Sequence, residues 1–425
     1  MNNVDRICEY FKSNEKSPDN LSMGVEFEHI LLDDKANARS YFDRGGTGDL
    51  FREMVDRGWH AHVEGDHILS ISKKGLAIST EPGGQLEFST DPISDISNVR
   101  KELFKFYSDA LDVLKPYNSN IYTIGFQPKS DVDDIKILPK DRYYAMYDYF
   151  KNSGTMGKFM MKGTASLQLS LDFTSEADYG RKYSLANKLS NILYFLFDNV
   201  PFRNDRPNDV YAFRSLVWNN TDRKRTGNFE RAFREDFKYE DYAKYLLKNN
   251  AIFRMNGGEF EAFDGTIDAA MTASDKDGME HLMTMVFPDV RSKRFIEIRQ
   301  IDSIPYPYNL GAVSLLKAIF YNEDNFDRIY NLIGDLSFKE SERARLEMYE
   351  HGPKTKMMGK TLPTWGVDIL SALDFDGCDE HFIKTIVPLM EGNTLRRQAI
   401  ERWKNYAMVE NAIDYAKVSL EGLDV

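Results

Sequence analysis

The chain has 425 residues, 42% of them hydrophobic and 13% aromatic, enough for a large core and too many for a disordered chain. Its 55 Lys and Arg against 67 Asp and Glu leave a net charge of −12, a poor basis for gripping nucleic-acid phosphates. Cys8 and Cys378 are too few for a disulfide scaffold or a cysteine-rich zinc site, and no run of about 18 apolar residues supports a membrane span. The first residues show neither an apolar signal core nor an Arg-rich presequence, so a cytoplasmic protein is expected.

A short helix is predicted at 4–13, then a strand at 23–32 that contains Met23-Gly24-Val25-Glu26-Phe27-Glu28-His29. Strand side chains alternate faces, so Glu26 and Glu28 share one face and Val25 and Phe27 the other. A glycine-rich turn at 45–48 precedes a helix at 49–57, and 59–91 reads as meandering strands. Within it, Glu81-Pro82-Gly83-Gly84-Gln85 forms a sharp turn into a strand with Gln85 and Glu87 on one face. An amphipathic helix follows at 94–115, a strand at 122–126 and helical pattern at 140–151. The cleanest alternation lies at 164–173, with Ser166, Gln168, Ser170 and Asp172 opposite Leu167, Leu169, Leu171 and Phe173.

Ser175 and Asp178 resemble a capping box for a helix at 176–198. Residues 202–230 read as loop and carry Arg214, Trp218 and Arg223-Lys224-Arg225. Helices are predicted at 240–248 and 275–286, then a strand at 294–299 with Glu297 and Arg299 on one face. From 309 onward the pattern is helical: 309–321, 323–334, 338–350, 366–373, 379–391 and 394–420.

Four strands therefore set polar residues opposite apolar ones. One such strand is explained by a wet face on an antiparallel sheet. Converging carboxylates on several strands instead suit a hard cation such as Mg²⁺, and an adjacent Arg, always charged, suits a phosphate oxygen. Phosphate-binding loops, dinucleotide fingerprints, H-E-x-x-H and G-x-S-x-G are all absent from the sequence. His60 and His62 could share a strand face, but two histidines are more simply surface positions.

Several stretches resemble glutamate–cysteine ligases of the plant and proteobacterial type, relatives of glutamine synthetase. They are Gly24 to His29, Thr80 to Glu87, Ile124 to Lys129, Gln168 to Asp178, Arg214 to Trp218, Thr221 to Gly227 and Phe287 to Arg299, in family order over 23–320. The resemblance implies an α+β fold: a curved, mainly antiparallel sheet, half-barrel and glutamine synthetase-like, surrounded by helices. A single catalytic unit is expected over 1–425, with a sheet-containing core at 1–320 and a helical part at 321–425 packed on it. The implied reaction is ATP-dependent amide formation through an acyl phosphate, joining glutamate and cysteine.

By matching position the resemblance assigns Glu26, Glu28, Glu81, Glu87 and Glu297 to metal, and Gln168, Arg299 and Arg225 to ATP phosphates. Arg299 and Arg225 are the expected catalytic cations; Arg214, with Lys162 and Trp218, is expected at the amino-acid substrate. ATP and about two or three Mg²⁺ ions are implied, with Mn²⁺ an alternative for the same oxygen donors. The partners implied are small amino-acid and amine substrates, with no nucleic acid or membrane, on a monomer or homodimer.

Two stretches depart from the family. Gly163 stands where the family has an Arg that helps bind glutamate, and Gln300 to Pro307 replaces a Gly-Ala-Asp-Gly-Gly-Pro-Trp-Arg run. Three readings follow: glutamate–cysteine ligation with a modified pocket, the same chemistry on another acid or amine in a specialised pathway, or a non-catalytic binding homologue.

Overall fold

A computed structural model describes residues 2–73, 76–256, 259–272, 274–375 and 380–421; Cys378 lies outside them, as does the start of the helix expected at 379. Nine strands form the central sheet: β1 (Met23–Asp33), β2 (His60–Glu64), β3 (His67–Lys73), β4 (Leu76–Thr80), β5 (Leu86–Ser89), β6 (Ser119–Tyr122), β7 (Ser166–Leu171), β8 (Val290–Ser292) and β9 (Ile296–Asp302). Their order is β8-β9-β7-β1-β5-β4-β3-β2, with β6 paired to the far end of β1. Every one of these pairings is antiparallel. The expected antiparallel sheet is thus present, and it brings together segments more than 250 residues apart.

The alternation in β1 works as predicted. Val25, Phe27 and His29 are buried on one face, while Gly24, Glu26 and Glu28 lie half-buried on the other. The apolar face rests on the helix Ile96–Leu114, where Phe106 stacks on Phe88 at 5.3 Å and Tyr107 meets His29 Nε2 at 2.8 Å. Burial of that apolar set stabilises the sheet at roughly 1.5–3 kcal/mol per fully buried side chain. The opposite face is left to polar side chains.

Several boundaries move. The helix expected over 176–198 is two helices, Glu176–Lys188 and Ser190–Leu196. The one expected over 394–420 stops at Tyr406, where Ala407 turns left-handed at φ 50°. Residues 157–163, between the helical pattern at 140–151 and the strand at 164–173, are helical, and so are Phe213–Asn219 in the segment read as loop. His60 and His62 sit on the exposed edge strand β2, away from the polar face. No helix among the described residues is long and apolar enough to cross a membrane.

The C-terminal helices pack back on the sheet-bearing part. Gly311, in the helix Tyr308–Phe320, faces Ile386 of Glu380–Met390. Beyond them the chain returns to β6, where Tyr122 and Lys417 form an antiparallel bridge and Val418 N–H donates to Ile121 O at 2.8 Å.

Candidate active site

Register places the acids. Glu26 on β1 lies opposite Gln168 on β7, and Glu28 on β1 lies opposite Glu87 on β5. Glu297 on β9 pairs with Ser170 on β7 and with Arg291 on β8. Glu81 comes from the turn before β5, where Gly84 takes φ +88° and lets the chain reverse. Gln85 holds this turn: its Oε1 accepts from Gly83 N–H at 2.8 Å and its Nε2 donates to Thr164 O at 3.0 Å. Glu26, Glu28, Glu81, Glu87, Gln168, Arg214, Trp218 and Arg299 all line one cavity of about 310 Å³.

Two acids directly opposite on neighbouring strands repel each other. Glu28 is steadied by Ser166 N–H at 2.6 Å and Gln168 Nε2 at 2.8 Å, and Glu87 by Ser79 Oγ at 3.0 Å. None of Glu26, Glu28 and Glu87 has a Lys or Arg at ion-pair distance among the described residues. Burial, then the charges of Glu87 and Glu297, pushes Glu26 up to about 7. Burial, then Glu81 and Glu87, pushes Glu28 up to about 8. Burial and Glu81 raise Glu87 to about 7. These are carboxylates gathered without their counter-charge.

Glu297 is different, because three cations already hold it. It is 0% exposed and does not reach the cavity wall. Arg291 Nε holds Oε2 at 2.6 Å, Lys293 Nζ holds Oε1 at 3.1 Å and Arg299 holds Oε2 at 2.9 Å. Burial opposes its ionisation, but these three cations hold it well below the usual carboxylate range. Glu297 therefore anchors a cationic cluster whose three members all face the cavity. Arg291 and Lys293 were missed in the sequence as site residues. Their signal was present: positions 291, 293, 297 and 299 are two or four apart, which puts one face of a β-hairpin into the site.

Arg299 also donates to Gln168 Oε1 at 2.6 Å and lies 5.5 Å over the Trp218 ring. Trp218 thus supports the Arg299 cation, in addition to lining the cavity where a substrate contact was expected. Arg214 reaches the cavity from its helix and is held behind by Asp302 Oδ1 at 3.0 Å.

Two further expectations fail on geometry. Arg225 is 1% exposed and outside the cavity lining. Its donors go to Asp222 Oδ2 at 2.7 Å, Met285 O at 2.8 Å, Tyr149 Oη at 2.6 Å and Asn250 O at 2.9 Å, so it ties loops together and has no position to meet a phosphate. Lys162 sits on a helix, and its Nζ turns away to Val132 O at 3.0 Å. Gly163 beside it has no room for a side chain: a Cβ there would come within 2.4 Å of the Phe126 ring. Residues 300–307 also stay off the cavity wall. Gln300 turns to Ser190 Oγ at 2.9 Å, and Ser303 Oγ donates to Glu28 O at 2.5 Å.

Much of the remaining lining is apolar. Met160, Met161, Ile252, Phe253 and Met285 contribute to it, with Arg142 and His281 among them. Burial, then Arg142, lowers His281 to about 4, so its ring is neutral near pH 7.

A divalent cation fits the acids. Glu26, Glu28, Glu81 and Glu87 offer hard oxygens to one cavity and lack a positive partner. Among the described residues no three acidic, His or Cys side chains already close on one point. An ion there would complete its shell with phosphate and water oxygens, as Mg²⁺ commonly does.

The sequence matches the model of glutamate–cysteine ligase family 2 over residues 22–363. It is 31% identical over 390 residues to the chloroplastic glutamate–cysteine ligase of Arabidopsis thaliana, covering 89% of this chain and 74% of the relative. The enzyme of the same name from Brassica juncea is 29% identical over 391 residues, covering 89% of this chain and 76% of the relative. In fold, the chain is similar to the glutamate–cysteine ligase of Francisella tularensis, solved in complex with AMP, at a TM-score of 0.57 and 13% identity, covering 95% of this chain and 88% of that one. The chain belongs to glutamate–cysteine ligase family 2 and is an ATP-dependent ligase.

Proposed function

We propose that this ligase activates a carboxylic acid with ATP as an acyl phosphate and joins it to an amine, in the first instance glutamate to cysteine. The observation that carries this reading is the adjacency of two opposite surfaces in one cavity. The Glu26, Glu28, Glu81 and Glu87 oxygens have no cation of their own, and the Arg291, Lys293 and Arg299 cluster lies beside them. A polyphosphate would suit such surfaces: Arg291, Lys293 and Arg299 would take its oxygens, and Glu26, Glu28, Glu81 and Glu87 would hold a metal that offsets its remaining charge. The relatives' names supply the substrates, and the AMP in the Francisella structure supports a nucleotide.

Mg²⁺ or Mn²⁺ held by Glu26, Glu28, Glu81 and Glu87 would neutralise charge on the β- and γ-phosphates. This chain's own residues do the rest. Arg299, steadied by Gln168, Glu297 and the Trp218 ring, presents a fixed cation where phosphoryl charge develops. Arg291 and Lys293 add to it. Arg214 holds the acid's carboxylate. The substrate carboxylate oxygen attacks the γ-phosphorus and the bond to ADP breaks; the amine nitrogen then attacks the acyl carbon, loses a proton and expels phosphate. The sheet-bearing part and the helices after 320 act as one catalytic unit in this reading.

A second reading, the same chemistry on another acid or amine, is favoured by Gly163, whose side-chain space the Phe126 ring fills. Phosphate release from Mg-ATP across a panel of acids and amines, with product masses read directly, separates the two. A γ-glutamyl-cysteine product supports the first reading. An adduct from another pair alone replaces it, and ATP turnover with no pair overturns both.

A further inference from the structure

The residues that hold Arg214 at the cavity contact a part of the chain outside the span 22–363 that matches the family. Arg214 and Asp302 are 2% and 3% exposed and form a buried ion pair. Arg214 also donates to Gln300 O at 3.1 Å and to Arg299 O at 2.5 Å. Asp302 has its second oxygen on the backbone N–H of Asn199 at 2.8 Å. It is seated against Gly125, where a Cβ would come within 2.6 Å of the Asp302 carboxyl carbon.

The turn at 198–199 holds both sides of this arrangement. Asn199 Nδ2 donates to Thr123 O at 2.9 Å and Ser303 O at 2.8 Å, bracketing Asp302. Asp198 Oδ2 accepts from Ala212 N–H at 2.8 Å, at the start of the helix Phe213–Asn219 that carries Arg214. Two C-terminal side chains in turn fix the turn. Tyr415 Oη donates to Asn199 Oδ1. Arg396 pairs with Asp198 Oδ2 at 3.8 Å, reaches Asn208 O and lies 4.1 Å over the Tyr211 ring. The segment is itself docked through Ala416 O, which accepts from Thr123 N–H at 2.9 Å and Thr123 Oγ1 at 3.0 Å.

We propose that residues 395–418 are a positioning element for substrate binding, in which Tyr415 and Arg396 clamp Asn199 and Asp198 and so fix how the Arg214–Asp302 pair faces the cavity. This chain of contacts meets the nucleotide side only at the Arg299 backbone carbonyl and reaches neither Arg291, Lys293 nor the Arg299 guanidinium. The inference rests on the proposed role of Arg214 at the substrate carboxylate.

Tyr415→Phe removes one hydroxyl and keeps the ring under Arg402, 4.3 Å away. The expected result is a rise of about 3- to 10-fold in KM for the acid, the size of one buried hydrogen bond, with a smaller change in KM for ATP. In the Arg214→Lys background the same substitution should add almost nothing, because the effect passes through Arg214. Equal shifts in both KM values, or additive losses in the double variant, overturn the proposal; a melting scan of each variant separates misfolding from misplacement. Crystal structures of the wild type and Tyr415→Phe give a readout that needs no substrate. A displaced Arg214 guanidinium supports the positioning role even if no acid on the panel turns over, which would sink the functional reading instead. An unmoved Arg214 overturns the positioning role whatever the substrate is.

Discussion

The sheet carries two sets of carboxylates with opposite electrostatics, one on β9 and one on β1 and β5. Glu297 on β9 is held by Arg291, Lys293 and Arg299 and stays ionised. Glu26, Glu28 and Glu87 on β1 and β5 have only hydroxyls, amides and each other, and are pushed up to about 7, 8 and 7 by burial and mutual repulsion. A buried charge costs several kcal/mol unless it is paired. The paired set organises cations; the unpaired set is a deficit that a metal would remove under the proposed function. The same residue type on the same sheet thus has two jobs, separated by whether the protein itself supplies the counter-charge.

The comparison breaks most visibly in activity. Glu26→Gln, Glu28→Gln and Glu87→Gln should each lower kcat by about 10²- to 10³-fold, the scale for removing one charge-stabilising contact from a transition state. In metal-free protein at pH 8 the same substitutions should raise the melting temperature, since they remove a repelling charge. Glu297→Gln should do the reverse to the fold, costing about 3–5 kcal/mol, because three cations lose their buried partner. Denaturant unfolding of the four variants, without metal, checks this ordering; a Glu28→Gln that destabilises as much as Glu297→Gln erases the distinction.

The pH dependence has a definite sign. Glu26, Glu28 and Glu87 bind protons more tightly folded, at about 7 to 8, than the ordinary value of 4.5. Between those limits the unfolded chain holds fewer protons than the native one, so stability falls as pH rises. Metal-free protein should therefore lose melting temperature from pH 5 to pH 8.5 beyond what Glu297 and other paired acids predict. Saturating Mg-ATP should flatten the slope, since the bound cation competes with those protons. Differential scanning at several pH values, with and without Mg-ATP, measures both.

Much of this was legible in the residues. Period-two alternation at 23–29 and 164–173 located the polar face, and the strand order later brought those stretches together as neighbours. What alternation could not show was partnership across strands. Glu297 reads as one more acid until Arg291 appears opposite it, and Arg225 reads as a free loop cation until Asp222, Met285, Tyr149 and Asn250 take its donors. Lys162 is expected at the substrate as the charged neighbour of Gly163, and the helix 157–163 turns it to Val132. Sequence shows residue type and face; long-range pairing decides which charges remain unsatisfied.

The smallest effects follow from those corrections. Arg225→Lys should lower the melting temperature while leaving KM for ATP within about twofold, because its contacts are structural and lie outside the cavity. Lys162→Met, which keeps the aliphatic stem, should change KM for the acid by less than about twofold. Steady-state kinetics of both, set beside the β1 variants, shows how sharply the site ends at the cavity wall.

The most direct test of the unpaired acid wall is its proton exchange for metal. Titration of Mn²⁺ into protein carrying a non-hydrolysable ATP analogue, by calorimetry in buffers of different ionisation heat, counts the protons released. Glu26, Glu28 and Glu87 hold protons near pH 7, so binding there should release them, less at pH 9, and should be lost in the Glu26→Gln/Glu28→Gln variant. Mn²⁺ binding with no proton release at pH 7, or with unchanged affinity in that variant, would contradict the account.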